Sequence, residues 1–238
     1  MGSPGGSVLM TGSGKDVILA RIRSRIGTET GRNAHTGNDA AISWDYRTAG
    51  SGSREQILER FVDRVSDYRA TVSRAHPSDL SEAVAAALRS REVRRLVTPT
   101  GLPERWLEGL GPGKVEVLRD GVGQQASTND AVASCEAVLT GCALAIAETG
   151  TVVLDSGPAQ GRRALTLLPD FHVCVVFGDQ VVETVPEAVR AMGEGMAARG
   201  TPLTLVSGPS ATSDIELTRV EGVHGPRNLW VILVEEEP

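Results

Sequence analysis

The stretch EAVLTGCALAIAETGTVVLD, residues 136–155, constrains the fold more than any other part of this chain. It reads as two or three near-continuous apolar strands broken at Gly141 and Gly150. It lacks the in–out alternation of a strand with one wet face. Residues 171–177 and 203–206 are further runs of the same kind, and 229–234 is the last strand. Such runs belong to strands covered on both faces, as in a parallel sheet layered above and below. Between them, 186–199 reads as a helix weakened by Gly193 and Gly195.

The first half supplies the helices. Ser53 is placed to cap a helix over 53–68, with Gln56 three residues on to complete a capping box. Ile57, Leu58, Phe61, Val62, Val65 and Tyr68 then fall on one face. Residues 70–74 alternate as a strand, and 79–90 form a helix with Leu80, Val84, Ala87 and Leu88 inward. A short strand over 95–98, a short helix over 103–109 opening on Pro103, and a strand over 114–119 follow. Helix and strand in alternation are the mark of βα units. The expected fold is α/β, a largely parallel sheet flanked by helices, with no repeat of fixed period.

Ahead of this lies a short helix over 16–26, with Ile18, Ile22 and Ile26 on one stripe and Arg21 and Arg25 off it. Residues 27–53 lose periodicity and read as a polar linker or arm. Trp44 and Tyr46 are the points where it would dock on the body or on another subunit. The expected division is 1–52, an N-terminal helix and flexible linker, and 53–238, the main domain. Met10 is an alternative start of translation.

Composition narrows the function. Aromatic residues make up 3% of the chain, so Val, Leu, Ile and Ala must build the core. With 24 basic and 30 acidic residues the net charge is −6, which gives no global attraction for nucleic acid or anionic lipid. Arg89, Arg91, Arg94 and Arg95 read as a solvated helix end leading into a strand. Three cysteines, Cys135, Cys142 and Cys174, argue against a disulfide framework and for a reducing, cytoplasmic setting. There is no Cys-x-x-Cys pair and no zinc spacing, so neither a four-cysteine iron–sulfur cluster nor a metal site is expected. No run approaches ~20 apolar residues, and residues 1–14 do not read as a signal peptide.

Three turns and an arginine pair hold the candidate chemistry. After the strand ending at Val206, Ser207, Gly208 and Ser210 lead to Asp214 and Glu216. Hydroxyls and a flexible glycine suit a loop that presents donors to an anion, and the carboxyl end of a parallel strand is where ligands bind. The same residues read equally as a polar turn before an N-cap. His224, with Gly225 and Pro226 after it, sits on a constrained turn and is a candidate proton shuttle or a structural hydrogen-bonder. Ser210, Asp214 and His224 suggest a triad, but the Gly-x-Ser-x-Gly elbow is absent. Glu148, Thr149, Gly150 and Thr151 put a carboxylate and two hydroxyls at a kink between apolar strands, either in a pocket or on a wet strand end. Of Arg162 and Arg163, at most one would face a site, where its guanidinium could clamp a carboxylate or phosphate. Arg162 is taken as the ligand-binding member, and Glu148 and His224 as catalytic candidates.

Five segments in order, DYRATV (67–72), AIAETGTVVL (145–154), RRALTLLP (162–169), SGPSATSDIE (207–216) and GVHGPRNLWVILV (222–234), resemble the LUD-domain family, lactate utilization protein C type. The resemblance runs from about residue 53 to the end. It implies a fold like the NagB/RpiA/CoA-transferase group. It also implies a role in oxidising L-lactate to pyruvate beside two partner proteins that hold iron–sulfur clusters, this chain binding no cofactor itself. The motif positions carried over as pocket candidates are Glu148, Thr149, Gly150, Ser207, Gly208, Ser210, Asp214, Glu216, His224 and Gly225. The pocket would take a small carboxylate or nucleotide-like anion. Two other functions stay open: a free-standing transferase or ligase-like enzyme acting on a CoA ester, sugar phosphate or folate, and a regulatory or scaffold subunit with a vestigial pocket. The site rests on the expectation that turns 148–151, 207–214 and 222–226 converge on one cleft.

Overall fold

The computed structural model describes residues 14–26, 46–121, 126–196, 202–212, 220–222 and 224–235. It divides into two compact units, Met1–Tyr46 and Arg47–Pro238. In the first, helix α1 spans Gly14–Ile26, with Val17, Ile18 and Ile22 exposed. Tyr46 is also exposed, and Trp44 lies outside the described residues.

The second unit is built on six parallel strands in the order β1-β12-β7-β4-β2-β3. These are β1 (Thr71–Ala75), β2 (Arg95–Pro99), β3 (Glu116–Asp120), β4 (Ala137–Thr140), β7 (Phe171–Phe177) and β12 (Asn228–Val234). The unbroken apolar run of β7 is explained by its two faces. Val173 and Val175 pack under helix α3 (Leu80–Arg89) and Trp106. Cys174 and Val176 pack under helix α2 (Arg54–Asp67), whose Leu58, Phe61 and Val65 are buried. Ser53 caps α2: its hydroxyl accepts from the Gln56 N–H at 3.3 Å, and the Gln56 side chain accepts from the Ser53 N–H at 3.0 Å.

Beside α2, on the same face, lies a second sheet in the order β8-β5-β6-β9. It contains β5 (Leu144–Ile146), β6 (Thr151–Leu154), β8 (Val181–Val182) and β9 (Thr204–Val206). β6 runs antiparallel to both β5 and β9, while β8 is parallel to β5. Ala188 and Met192 of helix α5 (Val185–Met196) close its outer side against Leu144, Ile146 and Val153. Sequence periodicity does not separate the two sheets, because β4, β5, β6 and β7 are buried on both faces and read as equally apolar, whereas edge strand β9, expected to be buried, leaves Leu205 exposed. Helix α4 (Asn129–Ala133) places Val132 over Val97 and Val138.

Arg89 pairs with Glu82 and Arg95 with Glu116, and the Arg91 guanidinium stands 5.9 Å from the Phe171 ring centre. Among the described residues, no helix is long and apolar enough to cross a membrane.

Candidate functional site

The turn at 147–150 joins β5 to β6, and the antiparallel register of β6 with β9 brings Thr151 beside Ser207. A chain of hydroxyls results. Thr149 Oγ1 lies 2.7 Å from Thr151 Oγ1, which lies 2.7 Å from Ser207 Oγ. Gly150 has φ +58°, and a Cβ there would stand 2.6 Å from the backbone carbonyl carbon of Arg64 in α2. The glycine therefore serves close packing of the turn on the helix.

Ser210 ties the next two turns together. Its N–H donates to the Pro226 carbonyl at 2.8 Å, its carbonyl accepts from Gly222 N–H at 2.9 Å, and its hydroxyl accepts from His224 N–H at 3.1 Å. Two further strands, β10 (Ala211–Thr212) and β11 (Val220–Glu221), pair antiparallel just beyond. Asp214 and Glu216 lie outside the described residues.

The turns at 207–211 and 224–226 border a cleft of about 210 Å³ against the start of β7 and β12. It is lined by Arg163, Thr166, His172, Ser207, Gly208, Ser210, His224, Gly225 and Leu229. That is below the ~300–1,000 Å³ typical of pockets for larger ligands, so it suits a small molecule. The Arg163 guanidinium is held at the rim. Nη1 donates to the carbonyl and hydroxyl of Thr166 at 2.9 and 3.0 Å, and Nη2 to the His224 carbonyl at 3.4 Å. Buried His172 has its Nε2 at 2.7 Å from Thr140 Oγ1. Among the described lining residues there is an arginine but no carboxylate. This arrangement suits an anion.

The expected single cleft is divided. Thr151 reaches Ser207 through the hydroxyl chain, but none of Glu148, Thr149, Gly150 and Thr151 lines the cleft itself. The Glu148 carboxylate accepts from Arg47 Nη2 at 2.8 Å, a half-exposed ion pair. Behind that pair is a second polar cluster. Glu183, almost wholly buried, accepts from Arg60 Nη1 at 2.9 Å and from Gly52 N–H at 2.8 Å. Glu187 accepts from the N–H groups of Gly50, Glu183 and Thr184. Residues 47–52 are thereby fastened to the domain. The Gly52 amide leads in holding the Glu183 carboxyl below the usual range, with help from Arg60, while burial opposes it. Glu187 is lowered in the same way, first by the Gly50 amide.

Arg162 lies elsewhere. It grips buried Asp120 through Nε at 2.9 Å and Nη2 at 3.2 Å, reaches Asn129 and the Ser127 carbonyl, and borders a different cavity with Thr100, Gly101 and Gly157. Its neighbour Arg163 is the arginine of the cleft. The position of the cleft also corrects the expectation from strand ends. The loop at Ser207 follows β9, which belongs to the mixed sheet, and His172 and Leu229 mark the amino ends of β7 and β12. The carboxyl-end rule applies to a parallel sheet and does not govern this loop. His172 was signalled in the sequence as the only polar residue inside FHVCVVF. Among the described residues, no group of three or more His, Cys, Asp or Glu could hold a metal ion.

A parallel sheet backed by a second mixed sheet, with a small cleft under the second sheet's edge, defines the chain's class as an α/β domain. The LUD domain model matches residues 58–234. The chain belongs to the LUD domain family. It is 50% identical over 182 residues to lactate utilization protein C of Deinococcus radiodurans, covering 76% of this chain and 81% of that protein. It is 26% identical over 240 residues to the protein of the same name from Bacillus pumilus, covering 94% and 98%. The crystal structure of a DUF162 family protein from Deinococcus radiodurans superimposes with a TM-score of 0.65 at 44% identity, covering 77% of this chain and 99% of that one.

Proposed function

We propose that this protein is the anion-binding subunit of an L-lactate utilization system, acting with iron–sulfur partner proteins that carry the electrons from lactate. The observation that carries the reading is the cleft itself. Arg163 is fixed by Thr166 and the His224 carbonyl, and it meets no carboxylate among the described residues. Names of relatives support lactate as the substrate class, since the two relatives described above are both called lactate utilization protein C. A carboxylate of lactate or pyruvate would take the guanidinium edge, with Ser207, Ser210 and His224 offering hydrogen bonds to the second and third oxygens. The Arg47–Glu148 pair lies outside this cleft, so nothing in the geometry favours Glu148 as a nucleophile on an acyl group.

Calorimetry with lactate and pyruvate tests the reading. A hydrogen bond to a charged group contributes about 1.5–3 kcal/mol, so Arg163→Gln should weaken binding by about 10- to 150-fold. Glu148→Gln should leave it unchanged. Equal affinity in the Arg163 variant, or growth on L-lactate undiminished by deletion of the gene, would overturn it.

A further inference from the structure

In the six-stranded sheet the winding of the chain reverses between β2 and β4. From β2 the chain runs outward to β3, and from β4 it runs the other way, to β7 and then β12. The two connections also leave on opposite faces. Trp106 and Leu110, after β2, pack with α3, while Cys142 and Ala145, after β4, pack with α2. Such a reversal opens a crevice outside the carboxyl ends of the two strands, where open α/β sheets receive ligands. A cavity of about 470 Å³ lies there, within the ~300–1,000 Å³ of small-molecule sites. Thr100 and Gly101 follow β2, Gly121 follows β3, and the loop after β6 contributes Ser156, Pro158 and Arg162.

That loop is fastened in place over the end of β4. The Ala159 carbonyl accepts from Gly141 N–H at 2.8 Å, Gln160 Oε1 from Asp155 N–H at 2.6 Å, and Asp155 Oδ1 from Gly157 N–H at 2.8 Å. Ser156 and Ala159 both take φ +60°, a left-handed backbone that residues with a side chain adopt at a cost. Arg162 ties the loop to Asp120, the carboxylate among the described lining residues. Both Asp120 oxygens are taken up, by the Arg162 guanidinium and by the Ser127 amide, so the carboxylate is neutralised. What the cavity offers is donors. The main-chain N–H groups of Gly101, Gly121 and Ser156, and the Ser156 hydroxyl, have no hydrogen-bond partner among the described residues. Glycine lets a ligand come close to the main chain, and N–H groups of successive turns make anion-binding concavities.

We propose that this crevice binds the phosphate group of an organic phosphate monoester. Amides supplied by three separate loops match the three acceptor oxygens of such a phosphate, where a carboxylate presents two. The volume, about 470 Å³ against about 210 Å³ for the Arg163 cleft, leaves room beside Pro158 and the glycine backbone for the organic body of the ester. The two sites are separate. The Arg163 cleft lies against the amino ends of β7 and β12, and the crevice lies at the carboxyl ends of β2 and β3.

The test titrates isotope-labelled full-length protein with glycerol phosphate, phenyl phosphate, AMP and inorganic phosphate, and follows the backbone amides by NMR. The expected result is saturable shifts at Gly101, Gly121 and Ser156 with at least one ester, at lower concentration than inorganic phosphate requires. Ser156 is exposed, and Asp tolerates its left-handed backbone, so Ser156→Asp adds a carboxylate at the rim without disturbing the fold. It should weaken ester binding at least ~tenfold by charge repulsion, while Ser156→Asn should bind as the parent does. Arg163→Gln should leave the shifts in place. Shifts confined to Ser207, Ser210 and Gly225 would put the phosphate in the other cleft and overturn the site. So would the absence of shifts with every ester, or equal affinities in Ser156→Asp and Ser156→Asn. Inorganic phosphate bound as tightly as the esters would overturn the part given to the organic body. None of these outcomes depends on lactate binding.

Discussion

Gly150 has φ +58° and faces the backbone of α2 where a side chain would stand. Substitution to Ala therefore meets two penalties, a left-handed backbone and a contact of 2.6 Å with main-chain atoms that cannot rotate away. Gly150→Ala should cost about 2–4 kcal/mol, read as a drop in the urea midpoint. Substitution of Gly193, which has nothing within 4 Å of its Cβ position, should show no comparable loss. Glycine in Glu-Thr-Gly-Thr was visible in the sequence as a kink, but its reason was not. The reason lies 85 residues away in sequence, in the last turns of α2. The arginine pair gives the same lesson from the other side. Adjacent side chains diverge, and sequence alone cannot say which one finds the cleft. Buried Asp120 captures Arg162, and that leaves Arg163 for the rim.

At the scale of elements, α2 carries several demands at once. Leu58, Phe61 and Val65 fill the core, and its carboxyl end receives Gly150 and Gly208, the latter against Tyr68. Its amino end depends on the reciprocal Ser53–Gln56 bonds. Ser53→Ala removes the side-chain acceptor for the Gln56 amide and should lower stability by about 1 kcal/mol, measurable in the same urea titration. These elements were legible in the sequence because capping and helical period are local. The assignment of strands to sheets was not. β9 and β12 are both short apolar runs, yet one joins a mixed sheet and the other the parallel one. Partner choice between equally apolar strands is set by tertiary packing, and with it went the expected end of the sheet for the cleft. The hydroxyl chain was half legible. The residue types at Thr151, Ser207 and Ser210 signalled hydrogen bonding, and only the β6–β9 register brings the first two within 2.7 Å.

For the domain as a whole, the sharpest consequence concerns the segment that leads into it. Residues 47–52 have a polar, aperiodic sequence, yet they are held by two carboxylates that also belong to other elements. Glu183, following β8, reaches Arg60 on α2 and the Gly52 amide. Glu187, at the start of α5, holds the Gly50 amide while capping its own helix. One cluster thus connects the entering chain, α2, the second sheet and α5. Both carboxyls are held below their ordinary values, chiefly by backbone amides that only the folded segment supplies. A carboxyl depressed on folding contributes stability above its unfolded value, near ~4.3, and loses it as pH falls through the lower folded value. Protection of the Gly50 and Gly52 amides against hydrogen exchange, corrected for intrinsic rate, should therefore hold at neutral pH and fall on acidification below about pH 4. The core amides of β7 should stay protected over the same range. Glu183→Gln should weaken protection at Gly52 already at neutral pH and flatten its acid dependence, since an amide oxygen accepts the same bond without charge. Protection at Gly52 that is unchanged from pH 7 to 3 would show that the clamp is held by packing rather than by these carboxylates.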